Sequence, residues 1–191
     1  MKNLKALPVI GLILLLYSCE QKVANQPVQI IPEPLSVIKK QEKPFVADKK
    51  TRIIVQDETM FPAANFLKEF LKTEIQIVNL ADAGDIQNDI VFEFNQKLDS
   101  LTKEGYKLTV SKGGILIQAA GPQGLFYAVE TIRQLLPVEL ETGPVGQIVV
   151  PSVEITDSPR FPWRGMHLDV SRHFMPLGFV KKYIDYLAMH K

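Results

Sequence analysis

Gly105-Tyr106-Lys107-Leu108-Thr109-Val110-Ser111-Lys112-Gly113-Gly114-Ile115-Leu116-Ile117-Gln118-Ala119 carries the clearest structural instruction in the chain. Tyr106, Leu108 and Val110 alternate on one arm and Ile115, Ile117 and Ala119 on the other, which is the period of strands with one buried face. Between the arms, Gly113-Gly114 can take the positive φ that a tight turn needs. The stretch therefore reads as a β-hairpin whose apolar side requires a second layer. Two helices are available to supply it. Gly121-Pro122 opens one in which Leu125, Phe126, Val129, Ile132, Leu135 and Leu136 form a single apolar stripe closed by Pro137. Upstream, Phe61, Ala64, Leu67, Phe70 and Leu71 recur at helical spacing, with Pro62 suited to a first helical turn.

Further strands are expected at 51–55, 75–78 and 89–94, each short, rich in β-branched residues and bounded by polar or turn residues. One more is expected at 147–155, after a Gly- and Pro-containing linker at 143–146. The first ordered stretch begins near Val28-Gln29-Ile30-Ile31, where Pro32 and Pro34 then impose extended geometry. Together these parts predict an α+β fold over residues 27–157: a two-layer domain of mostly antiparallel sheet with two helices on one face.

Pro159, Phe161, Pro162 and Trp163 mark a change of element. Arg164-Gly165-Met166-His167-Leu168-Asp169-Val170 reads as a buried strand and Ser171-Arg172-His173-Phe174 as a loop. Pro176 then starts a helix carrying Phe179, Val180, Tyr183, Ile184, Leu187 and Ala188 at helical spacing. Strand, loop and helix form the repeating unit of a β/α barrel, so residues 158–191 are expected to begin one. A whole barrel takes about 250 residues. The 31 residues from Phe161 to Lys191 supply one unit, and the helix pattern stops without a cap, so the expectation is a truncated (β/α)8 TIM barrel.

Residues 1–19 have the layout of a secretory leader: Lys2 and Lys5, then the apolar run Ala6 to Leu16, then Leu16-Tyr17-Ser18-Cys19. The run is shorter than the roughly 20 residues of a stable membrane-crossing helix. Its end looks like a bacterial lipobox, although Tyr17 stands where a small residue is more usual. Acylation of Cys19 and a tether over 20–26 follow from that reading, placing the protein in the cell envelope. Cys19 is the single cysteine, so the alternative is a lone thiol. The chain is 46% hydrophobic and 23% charged with a net charge of +1, a globular balance that implies no polyanionic partner and no nucleic acid.

No cofactor is expected: there is no Gly-rich phosphate loop, no metal-spaced Cys and His cluster and no nucleophile elbow. Polar groups concentrate where the first barrel strand would end, at Asp169, Ser171, Arg172 and His173. In β/α barrels the active site is built at the carboxyl ends of the strands. The planar fork of Arg172 can donate two parallel hydrogen bonds to vicinal oxygens, so Arg172 is the substrate-binding candidate. An ion pair that merely closes the barrel is its alternative. Asp169 is assigned a supporting role, accepting from loop amides or orienting Arg172, and His173 a loop-packing one. Arg160 and Arg164 lie on the stability side of the unit. His167 is expected in the barrel wall, and Trp163 between the two domains.

Asp157-Ser158-Pro159-Arg160-Phe161-Pro162-Trp163-Arg164-Gly165, followed by Leu168-Asp169-Val170-Ser171-Arg172-His173-Phe174, resembles the entry to the catalytic domain of glycoside hydrolase family 20. The preceding domain is similar to that family's accessory domain, from Ile31-Pro32-Glu33-Pro34 through Gly105-Tyr106 to Gly124-Leu125-Phe126-Tyr127 and Gln134-Leu135-Leu136-Pro137. The resemblance implies a β-N-acetylhexosaminidase acting on N-acetylhexosamine-terminated glycans, with Arg172 contacting hydroxyls of the terminal sugar. It also implies substrate-assisted catalysis, in which the sugar's acetamido oxygen attacks the anomeric carbon, an aspartate orients that group and the adjacent glutamate is acid and then base. No Asp-Glu dipeptide follows Arg164, and Asp57-Glu58 lies in the accessory domain. The catalytic pair is therefore expected beyond Lys191, and this length alone is expected to be inactive. The alternative reading is a lipid-anchored module that binds a glycan or partner without catalysis.

Overall fold

A computed structural model describes residues 28–191; the expected leader, Cys19 and tether lie outside the described residues. Strands β1 (Ser36–Lys39), β2 (Phe45–Val46) and β3 (Arg52–Val55) precede helix α1 (Phe61–Leu71). Strands β4 (Gln76–Asn79), β5 (Asp89–Phe94), β6 (Tyr106–Ser111) and β7 (Gly114–Ala119) follow, then helix α2 (Pro122–Leu135). Short strands β8 (Val149–Val150) and β9 (Val153–Asp157) lead to helix α3 (Leu177–Met189).

The main sheet has the order β1-β9-β6-β7-β5-β3-β4, while β2 and β8 pair separately. The hairpin forms in the expected register, with Val110 opposite Ile115 and Leu108 opposite Ile117. Its turn depends on Gly114 at φ +151, where a Cβ would stand 2.6 Å from the Asp89 carbonyl oxygen of the neighbouring strand. Only a residue without a side chain permits that approach.

The expectation of a mostly antiparallel sheet is corrected. β1-β9, β9-β6 and β6-β7 run antiparallel, but β7-β5, β5-β3 and β3-β4 run parallel. The reason is the connection: β3 reaches β4 through α1, and a strand that returns through a helix comes back in the same direction. The single strand expected at 147–155 is also two, because Pro151 lacks the N–H to continue a ladder; β8 pairs with β2 and β9 with β6 and β1.

Both helices lie against one another and against the sheet, α1 on β3 and α2 on β6 and β7. Their stripes meet alternate strand residues, so Leu67, Leu71, Leu125, Val129 and Ile132 share one core with Ile53, Ile90, Phe92, Leu108 and Ile117. Gly124 lets the helix lie close against the hairpin, since an added Cβ would meet the Gly105 carbonyl and the Ala119 side chain. The sheet's far end is fastened by Asp89. Its buried carboxylate accepts from Arg52 N (2.9 Å), Nε (3.1 Å) and Nη2 (2.7 Å), and from Gln87 N (3.2 Å). The same guanidinium donates to the carbonyls of Ala83 and Asp85.

Beyond β9 the expected barrel strand at 164–170 is not formed, and most of the segment is exposed. A parallel strand takes its hydrogen bonds from neighbours on both sides, and among the described residues none flanks this one. Trp163, expected between domains, is 92% exposed, and His167 is likewise exposed instead of walled in. The helix expected after Pro176 is present as α3, but none of its residues is buried.

Candidate functional site

The segment between Trp163 and α3 turns at Asp169. Asp169 Oδ1 accepts from Ser171 N at 2.9 Å and Arg172 N at 3.3 Å, and Oδ2 stands 3.1 Å from Arg172 Nε. This is the local logic of an Asx turn: a short carboxylate satisfies the next amides and fixes the loop's direction. The Arg172 side chain is 86% exposed. Its ion pair with Asp169 runs through Nε, and with the side chain this exposed the guanidinium stays largely open to solvent. His173 is exposed beside Phe174, which is 92% exposed. Thus Asp169 and Arg172 are brought together, and His173 stands apart from that pair.

Behind this loop the segment is joined to the accessory domain by two cations. Arg164 Nη2 donates to Glu104 Oε1 at 2.9 Å and to Tyr127 Oη at 3.2 Å, and its Nη1 donates to the Phe161 carbonyl at 2.6 Å. The guanidinium carbon lies 5.7 Å from the centre of the Tyr127 ring. Lys191 Nζ donates to Asp157 Oδ2 and to Tyr106 Oη, both at 2.8 Å. It stands 5.1 Å from the centre of the Tyr106 ring. Each cation therefore has one carboxylate and one tyrosine, a combination that offsets the loss of hydration for a partly buried charge.

Sequence reasoning assigned no such part to Glu104, Tyr106, Tyr127, Asp157 or Lys191. The available sign was that the hairpin's buried face, otherwise aliphatic, begins with a tyrosine whose hydroxyl must find partners when buried. Tyr106 Oη finds three: Thr131 Oγ1, Asp157 Oδ2 and Lys191 Nζ. Burial, with the Asp157 charge beside it, pushes the Tyr106 phenol far above its ordinary range, so it stays protonated. Burial draws the Lys191 ammonium down, against the pull of Asp157. Between the two pairs lies a cavity of about 310 Å³ bordered by Pro32, Leu35, Tyr106, Tyr127, Phe161 and Arg164.

One buried carboxylate lies outside these pairs. Glu130 on α2 has an Oε2 without a hydrogen bond, and Arg133 Nη1 is 3.6 Å away, too far for one. Burial raises its pKa, opposed by Arg133. Among the described residues no group of three or more His, Cys, Asp and Glu is placed to hold a metal ion.

Residues 27–158 match the family model described as glycosyl hydrolase family 20, domain 2, and residues 161–191 match the catalytic domain of the same family. A β-hexosaminidase of Porphyromonas gingivalis is 34% identical over 202 residues, covering all of this chain and 26% of that protein. A β-N-acetylhexosaminidase of Streptomyces coelicolor, known as a solved structure, superposes with a TM-score of 0.76 at 31% identity over 87% of this chain and 34% of the other. A Streptomyces plicatus β-hexosaminidase mutant, solved in complex with product (GlcNAc), gives a TM-score of 0.75 at 31% identity over 86% of this chain and 33% of its own. The chain thus spans between a quarter and about a third of these relatives.

Proposed function

The chain belongs to glycosyl hydrolase family 20, and from that membership we propose that it is the N-terminal part of a β-N-acetylhexosaminidase that removes terminal N-acetylglucosamine or N-acetylgalactosamine from glycans. The observation that carries the reading is the juxtaposition of the two matches: the domain matched over 27–158 leads directly into 161–191, where an exposed Arg172 is paired with Asp169. In the whole enzyme, 164–170 becomes the first strand of a (β/α)8 barrel, because a second parallel strand beside it would supply the missing ladder. Arg172 then stands at that strand's carboxyl end.

Its parallel donors suit two adjacent hydroxyls of a terminal sugar. Asp169 keeps the guanidinium aimed by holding Nε, and its negative charge keeps the pair neutral when a neutral sugar displaces water. The chemistry belongs to residues outside this chain. There, the substrate's acetamido oxygen forms a bond to the anomeric carbon as the glycosidic bond breaks, a glutamic acid gives its proton to the leaving oxygen, and an aspartate stabilises the acetamido group. Water deprotonated by that glutamate then attacks the anomeric carbon and restores the acetamide with retained configuration.

The test is hydrolysis by the full-length protein of an aryl N-acetyl-β-glucosaminide beside an aryl β-glucuronide. Turnover of the first alone is expected. Turnover of the glucuronide with none of the N-acetylglucosaminide would assign the protein to another carbohydrate-active group.

A further inference from the structure

α3 buries none of its own residues, yet Lys191, two positions past its end, has only 7% of its side chain exposed. A lysine is seldom drawn that far from water unless its ammonium is fully partnered. Here Nζ is held by Asp157 Oδ2 and Tyr106 Oη, and that hydroxyl is itself tied to Thr131 on α2. The carbonyl of Lys191 accepts from Arg164 Nε at 3.1 Å. Arg164, ahead of the loop, is therefore bonded to Lys191, beyond the helix. Both are fixed to accessory-domain carboxylates, while midway Tyr183 Oη donates to the His167 carbonyl at 3.4 Å. The loop that carries Asp169 and Arg172 is the bend of a segment pinned at both ends. Buried ion pairs contribute little net stability but are well suited to fixing one arrangement among several.

We propose that Lys191 is a positioning residue: locked between Asp157 and Tyr106, it fixes the end of α3 and the start of the 164–170 segment on the accessory domain and so sets where Arg172 meets the sugar. The accessory domain, on this view, takes part in substrate binding through the placement of the barrel's first unit. The kinetic part of the inference rests on the hexosaminidase reading, and the placement of the loop does not.

The experiment uses the full-length protein with Asp157→Asn and Lys191→Met combined, which removes both buried charges together and leaves neither stranded. On an aryl N-acetyl-β-glucosaminide the pair is expected to lower kcat/KM about tenfold, chiefly through KM, and less than about twofold when Arg172→Ala is already present. Tyr106→Phe, which deletes one hydroxyl and keeps the ring, tests the same link if the double variant folds poorly; about threefold and no effect are expected in the two backgrounds. Lys191→Arg, retaining charge and donors, is expected to remain within about threefold of the parent. An equal loss in both Arg172 backgrounds, or no loss in the first, would overturn the proposal. Hydrogen exchange at the Ser171 and Arg172 amides supplies a measurement independent of turnover, with acceleration of about tenfold expected in the double variant. Unchanged exchange there overturns the proposal even if the parent enzyme acts on a different substrate. An inactive parent with accelerated exchange removes the activity reading alone.

Discussion

Arg172→Ala in the full-length protein is expected to lower kcat/KM on an aryl N-acetyl-β-glucosaminide about a hundredfold, as loss of charge-assisted hydrogen bonds worth about 3 kcal/mol requires. The magnitude follows from the geometry of the loop. Asp169 stands 3.1 Å from Arg172 Nε, and the rest of the exposed guanidinium supplies the donors a ligand would meet. Deleting them leaves two sugar hydroxyls without those donors. Arg172→Lys keeps the charge but not the fork and is expected to recover no more than about tenfold of the loss. Steady-state kinetics on the two variants decide the matter. Kinetics of Arg172→Ala indistinguishable from the parent would show that Arg172 serves only its ion pair with Asp169.

Asp89→Ala is expected to destabilise the accessory domain by about 3 kcal/mol. Asp89 is fully buried and receives three donors from Arg52 alone. Its removal strands the guanidinium at the edge of β3, although the carbonyls of Ala83 and Asp85 still accept from it; this keeps the cost at the lower end for a broken buried pair. Calorimetry of the parent and the variant should show the domain's transition lowered by roughly 10 °C. Asp85→Ala is the control, since Asp85 offers Arg52 only its backbone oxygen and spends its carboxylate on exposed Gln87. Equal shifts for the two variants would mean that the buried carboxylate is not what fastens β3 to β5.

The elements most legible in the sequence were those with complete local patterns. The hairpin, α1 and α2 stand where their periodicities put them, because a buried face and a helix stripe are properties of consecutive residues. Strand direction was less legible only because its sign lay between elements. The strand–helix–strand order of β3, α1 and β4 already required a parallel pair, yet the strong antiparallel hairpin dominated the reading. β1 and β2 went unrecognised because β1 is exposed along its whole length and β2 is two residues long, so neither writes an apolar alternation. Residues 164–170 have strand composition and no strand, since composition supplies propensity while a parallel ladder needs partners.

The candidate site divides in the same way. Asp169 and Arg172 are three residues apart, and their pairing is a local matter that the sequence could suggest. Lys191 and Asp157 lie 34 positions apart, and Lys191 and Tyr106 lie 85 apart. Only the fold brings them together. Tyr106 shows why such contacts are hard to foresee: in the hairpin's alternation it counts as one more buried ring, and its hydroxyl becomes informative only once three polar partners surround it.

The dependence of turnover on the substrate's own acetamido group is the sharpest measurement of the proposed activity. The full-length protein would be given an aryl β-glycoside carrying an acetamido group at C2 and the matched aryl β-glucoside carrying a hydroxyl there. An intramolecular nucleophile has an effective concentration far above that of any external one, so the expected result is release of the aryl alcohol at least about a thousandfold faster from the acetamido substrate. Equal rates from the two would contradict a substrate-assisted hexosaminidase.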